Sequence, residues 1–341
     1  MWSNEKKINK LFVNWLIISL ILVFFIIIVG GLTRLTNSGL SITEWELFKG
    51  ILPPLNETSW QIYFEQYKKI PQYQLLNFNM TLVEFKVIFY WEYFHRVLAR
   101  LIGLFFLLPI IYFYLTKKIK KEHLLICFII MFLIIFQGMI GWYMVQSGLV
   151  NDVTVSHYRL SIHLITAVII ISLLFWLIKN VNAKQNKVFF RISLYNSPFQ
   201  VLIFLIFSQI IIGAFVSGLN AGQIYQTWPM MGNNYFPNDI ALVNLKSLLE
   251  FNNHSLVQFY HRNFAYLIIL YVLLLTIYIY HKRLRYLYIP VQILLFFLLL
   301  QAVLGILTLI TGLNIYLASA HQITSVLLVF SALNLYYFRA K

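Results

Sequence analysis

Four histidines recur in similar surroundings along this sequence. They are His95 in EYFHR (92–96), His163 in YRLSIHL (158–164), His261 in QFYHR (258–262) and His321 in SAHQIT (319–324). An arginine follows two of them, Arg96 and Arg262, and only the first has an acid three residues before it, Glu92. Two imidazoles from facing helices can hold a haem iron from both sides. A guanidinium suits a haem propionate, a carboxylate that favours fork-like pairing. A carboxyl three residues from a histidine shares its helix face and can move protons beside it. Each of these readings has a plainer rival. Arg96 and Arg262 can reach for lipid headgroups, and Glu92 can form a salt bridge with Arg96 or Arg100.

Other metal chemistries fit less well. Zinc asks for more ligands, usually with thiolate or carboxylate among them, and no such group is duplicated with the histidines. A di-iron carboxylate site needs two Glu-x-x-His motifs and two further glutamates. Here only Glu92-x-x-His95 qualifies, since Gln258 stands in the corresponding place. Nor does any histidine pair show the thirteen- or fourteen-residue spacing of a quinol-type cytochrome b. Two haem sites, each built from two histidines, remain. His123 and His281 fall in basic loops, His254 in an outer loop and His157 near an interface, and all four read as surface residues.

These side chains need helices in lipid to hold them. The chain has 341 residues, 60% hydrophobic and 11% charged, with mean hydropathy +0.77, where a soluble domain carries about 25% charged residues. Eight apolar stretches are long enough to cross a ~30 Å hydrocarbon core: roughly 11–30, 93–115, 124–144, 160–178, 199–218, 258–280, 287–310 and 317–337. The first reads as a retained span, too long for a signal-peptide core. The net charge of +15 is gathered in alternate loops: Lys6, Lys7 and Lys10; Lys117 to Lys121; Lys179 to Arg191; Lys282 to Arg285; Arg339 and Lys341. That is the positive-inside pattern. It predicts cytoplasmic termini and argues against a nucleic-acid partner. Counting back from those clusters at ~1.5 Å per residue puts all four histidines ~24–33 Å away, near the outer face. An ionisable residue inside a membrane span is functional by default. With Cys127 the only cysteine, no intramolecular disulfide can form.

The halves repeat. GGLTRLTNSG (30–39) answers GAFVSGLNAG (213–222), and EYFHR answers QFYHR. Gln137, Gly141 and Gly148 share their spacing with Gln301, Gly305 and Gly312. The expected fold is an all-α polytopic membrane protein of eight transmembrane helices. It forms two four-helix bundles, residues 1–180 and 190–341, as parallel repeats about an axis along the membrane normal. Gly138, Gly141 and Gly305 read mainly as small residues for close helix packing.

The motifs GGLTRLTNSGLSITEW, LNFNMTLVEFKVIFYWEYFHR, YRLSIHL, GAFVSGLNAG with TWPMMG, FYHRNFAY and SAHQIT together resemble the haem A synthase family, in its mitochondrial and proteobacterial form, over nearly the whole chain. The resemblance implies oxidation of the C8 methyl of haem O to a formyl group, by two successive hydroxylations and dehydration of the diol. It implies that His261 and His321 hold a resident haem b, while His95 and His163 face the substrate haem, with Glu92 catalytic. Arg262 would then serve the cofactor, and Arg96 and Arg100 the substrate. It also implies a ferredoxin-type electron donor, a haem O synthase as partner, and a place in the cell inner membrane. Some bacterial relatives carry a cysteine pair in the first outer loop; residues 31–92 here contain none. Three other functions share the same histidines: a two-haem electron carrier, a duplicated transporter, and a haem-delivery factor. A transporter would want charged groups at the midplane, whereas the polar groups here gather at one face.

Overall fold

The computed structural model describes residues 2–45, 49–150, 152–240 and 245–340, without side chains at 2–9, 49, 245 and 246. The side chains of Lys6 and Lys7, and Lys341 as a whole, therefore lie outside it. The described residues form ten α-helices and no strand. Eight are long and apolar enough to span a membrane: α1 (Trp2–Leu35), α4 (Leu82–Thr116), α5 (Lys121–Gly148), α6 (His157–Ala183), α7 (Ser197–Gly218), α8 (His254–His281), α9 (Tyr288–Ile310) and α10 (Ile315–Arg339). Two shorter ones, α2 (Glu57–Tyr67) and α3 (Pro71–Leu75), lie between α1 and α4. This is a multi-pass membrane protein. Leu101, Leu104, Leu108 and Ile277 are all more than half exposed on these helices; such side chains are at home against lipid, where neighbouring tails are as apolar as leucine.

The chain divides into two compact units, Met1–Ile178 and Lys179–Lys341. In the first, α1 packs on α4 and α4 on α5; in the second, α7 packs on α8 and α9 on α10.

Helix α4 begins eleven residues before the apolar stretch expected at 93. Thr81 and Glu84 close a capping box, the Thr81 hydroxyl accepting from the Glu84 N–H and the Glu84 carboxylate accepting from the Thr81 N–H. This satisfies two otherwise orphaned donors at the helix start. The added turns have a partner. Trp60, Phe64 and Tyr67 on α2 stack on Phe85 and Phe89 of α4, with ring centroids 5.0 to 5.2 Å apart. Aromatic edge and tilted contacts at that range stabilise beyond the area they bury. Asn56 starts α2 by accepting from the Ser59 N–H at 2.8 Å. The buried Tyr67 hydroxyl donates to Gln72 at 2.9 Å and accepts from Asn77 at 2.7 Å, and Leu40 joins the same apolar cluster. Through this cluster the segment after α1 is fastened to α4.

Two corrections concern histidines. His123 is buried and stacks on Phe12 with centroids 6.2 Å apart, and His157 is buried with its ring 4.0 Å from that of Tyr158. Neither is a surface residue: α5 and α6 each start three residues earlier than hydropathy alone suggests and draw these rings into the packing.

Candidate functional site

Each of the four histidines lies against a glycine of the membrane-spanning helix before its own. A β-carbon built on Gly30 of α1 would sit 3.0 Å from His95 Cε1. On Gly141 of α5 it would sit 3.2 Å from His163 Cε1, on Gly213 of α7 3.0 Å from His261 Cε1, and on Gly305 of α9 2.8 Å from His321 Cε1. A side chain at any of these places presses on an imidazole, hardest at Gly305. Gly138, by contrast, faces open space. So Gly141 and Gly305 are more than generic packing residues, and Gly30 and Gly213 do the same work.

All four imidazoles are half-buried. The His261 and His321 ring centroids are 6.5 Å apart, with the planes at 80°. Two imidazoles each bound at ~2 Å to one metal put their centroids ~6 Å apart, so this pair can share one iron. His163 lies near enough to His95 to interact with it electrostatically. The Nδ1 atoms of His95, His163 and His261 are buried without a hydrogen-bond partner, whereas His321 Nδ1 is 3.1 Å from the Gln301 carbonyl oxygen. With its proton on Nδ1, that ring offers the Nε2 lone pair as a ligand. No group of three or more histidine, cysteine, aspartate or glutamate side chains suited to a metal ion occurs among the described residues. A bare ion would be under-coordinated by two imidazoles. Porphyrin iron brings four ligands of its own, so pairs of histidines over glycine fit it.

A glutamine precedes three of these glycines by four residues, one helical turn. Gln137 Nε2 donates to the His163 carbonyl at 2.8 Å, and Gln209 Nε2 to the His261 carbonyl at 2.9 Å. Gln301 Nε2 lies 3.3 Å from His321 Nε2. Gln137 and Gln301 stand out in the sequence as repeat markers; Gln209 escapes notice because the first half has Ile26 in the matching place on α1.

Glu92 is buried, and both its oxygens are engaged. Oε2 accepts from the Ser41 hydroxyl at 2.7 Å and the Ile42 N–H at 2.9 Å; Oε1 accepts from Arg96 at 2.5 and 3.0 Å. Arg96 also donates to the carbonyls of Ile42 at 2.8 Å and Glu44 at 3.3 Å, with the Trp45 ring 5.2 Å from its guanidinium. Arg262 does the matching job in the second unit, donating to the carbonyls of Tyr225, Thr227 and Met230 at 2.9, 2.8 and 3.2 Å. Ile42 follows Gly30 by twelve residues, and Tyr225 follows Gly213 by twelve. The difference lies in the acid's place: Gln258 Nε2 donates to the Tyr225 carbonyl at 2.8 Å, where Glu92 accepts from an N–H. Arg262 Nε and Gln258 Oε1 are left buried without partners. Arg96, Arg100, Ile42, Glu44 and Tyr93 line one cleft, and Arg100 reaches the Gly50 carbonyl at 3.4 Å.

Ser41→Ala removes the hydroxyl bond to a buried carboxylate, a charge-assisted contact worth ~1.5–3 kcal/mol. Turnover is expected to fall about ten- to hundredfold, by that energy, with histidine-bound chromophores unchanged in optical spectra. Unchanged turnover would show that the Ile42 N–H and Arg96 alone fix Glu92. Gly305→Ala forces the His321 ring to move, an overpacking cost of ~1–3 kcal/mol. It should abolish the absorbance of one haem site, while Gly138→Ala leaves both intact.

Comparison with known proteins follows the same residues. The model of the cytochrome oxidase assembly protein family, COX15-CtaA, matches residues 13–333. Proteins named heme A synthase are similar over most of their length: one from Pelagibacter ubique is 48% identical over 275 residues, 81% of each chain. One from Flavobacterium johnsoniae is 40% identical, covering 79% of this chain and 80% of its own. One from Rickettsia felis is 43% identical with the same coverage. The chain belongs to the COX15-CtaA family of cytochrome oxidase assembly proteins.

Proposed function

We propose that the chain is a haem A synthase, an oxidoreductase that converts the C8 methyl of haem O to a formyl group by two hydroxylations and loss of water from the diol. The observation that carries this reading is the doubling of glycine-backed histidine pairs, with a carboxylate beside only one of them. Family membership supports the reaction, and the asymmetry supports placing it in the first unit.

In the second unit His261 and His321 would hold a resident haem b, with Arg262 near its propionates. When bound, that haem supplies electron transfer. In the first unit His95 and His163 would flank substrate haem O. Arg96 and Arg100 line a cleft beside α4 from which a guanidinium can meet a propionate. Glu92 would hold or pass a proton at Oε2, the oxygen already hydrogen-bonded to the Ser41 hydroxyl. The exposed leucines and isoleucines of the spans suit an isoprenoid tail lying against lipid. A ferredoxin-type donor and a haem O synthase fit a reaction that consumes electrons and an apolar substrate, and the basic loops favour an inner membrane with cytoplasmic termini.

The test is to express the chain beside a source of haem O and analyse the extracted haems by mass. Hydroxylated or formyl products are expected. Recovery of unchanged haem O alone overturns the proposal. The electron-carrier reading draws on the locked Glu92–Arg96 pair, which serves a purely structural role equally well. It predicts full function when Glu92 is neutralised.

A further inference from the structure

The four histidine sites are not alike in one respect. Gln137, Gln209 and Gln301 each lie one turn before the glycine that backs a histidine, and each places an amide on that histidine's carbonyl or ring. At the fourth site the residue one turn before Gly30 is Ile26, half-buried on the same face of α1. Residues four apart on a helix lie on one face, so Ile26 stands where the amides stand elsewhere and has no hydrogen to donate. In the second unit Gln209 straps His261 through its carbonyl, and His321 donates from Nδ1 to the Gln301 carbonyl at 3.1 Å, a contact to α9 that leaves Nε2 to the iron. In the first unit His163 is strapped and His95 is not. What holds the His95 segment of α4 is the Glu92 and Arg96 network to Ser41, Ile42 and Glu44, which is attached to a connecting segment and not to a helix.

We infer that Ile26 makes His95 the exchangeable iron ligand of the first unit, the side at which haem O is taken up and the oxidised haem released. An interhelical hydrogen bond in an apolar surrounding fixes the spacing and rotation of two helices at the level of the ligand. Where it exists, an imidazole must leave its iron against a rigid pair of helices. Where an aliphatic side chain replaces it, α4 can withdraw slightly from α1 and take the ring with it. The bond that breaks is iron to nitrogen; its electron pair stays on the imidazole, and no redox change accompanies the step. A resident haem wants two strapped ligands, whereas a substrate needs one that lets go. Ile26 is thus a positioning residue, acting through His95. The inference rests on the proposed function and sharpens it.

The test compares Ile26→Gln, Ile26→Leu and Gln209→Ile with the parent protein. Each full-length chain is loaded with haem O in detergent, and transfer to excess apomyoglobin is followed optically. Ile26→Gln should release haem O about three- to tenfold more slowly and lower kcat while haem O accumulates on the protein. Ile26→Leu should match the parent. Gln209→Ile should hasten loss of the second unit's haem by a similar factor, so the inference stays open to test even if Ile26→Gln does not fold. Equal release from Ile26→Gln and Ile26→Leu, or unchanged retention in Gln209→Ile, overturns it. A parent chain that takes up no haem O overturns the proposed function instead.

Discussion

Glu92→Gln is expected to lower haem A formation by about 10²-fold or more, the range supplied by a positioned proton-transfer group, while the second unit keeps its haem. The substitution has two consequences that can be separated. The first is structural. Arg96 and Glu92 are nearly buried, with side chains 11% and 4% exposed, and removing one charge of such a pair costs about 3 kcal/mol. The Ile42 N–H and Ser41 hydroxyl can still find one amide oxygen, but not Arg96 as well. The second is chemical: an amide cannot take or give the proton. Replacing both partners, Glu92→Gln with Arg96→Gln, removes the uncompensated charge, and thermal stability should recover most of what the single change lost. If turnover at saturating haem O stays low in the double variant, Glu92 does more than hold the loop. If turnover returns with stability, the electron-carrier reading of the pair gains and the catalytic one fails.

How much of this could be read from the sequence depended on what kind of force fixed each feature. The spans follow from long apolar runs, and their number and order agree with the eight long helices. Their ends do not, because hydropathy stops at the membrane and helices need not. Residues 82–92 carry Glu84 and Lys86 and read as loop, yet the Thr81–Glu84 capping box that starts α4 was written in the sequence. Helix α2 was missed for a similar reason: Trp60, Phe64 and Tyr67 recur at helical spacing, but inside a long polar connection. The charged group that attracted most attention had two readings, and the ion pair of Glu92 with Arg96 is present; the sequence could not say that Ser41 and Ile42 would complete the shell, since they lie some fifty residues away. Glycine was undervalued. Its role depends on what approaches it, and only coordinates show that the approaching group at Gly30, Gly141, Gly213 and Gly305 is each time an imidazole.

Both units keep the same surroundings for these glycines, and the proposed division of chemistry between them needs no change of scaffold. The scaffold needs the helix pair, the glycine, the imidazole above it and an arginine gathering the carbonyls of the following loop. All of that is present in both halves. What differs is a handful of side chains at the edge: Glu92 against Gln258, and Ile26 against Gln209. On the reading proposed above, one exchange adds a group that can carry a proton, and the other removes a restraint on a ligand. Neither requires a new backbone.

The histidines themselves allow the two units to be tested apart. His321→Ala is expected to strip the resident haem, because His261 alone offers iron a single protein ligand. His163→Ala should leave that haem in place while abolishing conversion of haem O. Truncation at His321 leaves a space beside Gly305, so added imidazole should restore both the absorbance and part of the turnover. No such rescue is expected for Gly305→Ala, where the space is filled and not opened. On the proposed reading electrons reach the first unit through the second, so His321→Ala should also lose haem A formation, by at least the 10²-fold expected for Glu92→Gln. The measurement is the ratio of haem to protein, with extracted haems separated by type. If His321→Ala and His163→Ala each reduce the same single haem, the four imidazoles serve one site and the division of labour between the units is wrong. If each removes a different haem, and imidazole rescues His321→Ala but not Gly305→Ala, the two units hold separate haems as proposed.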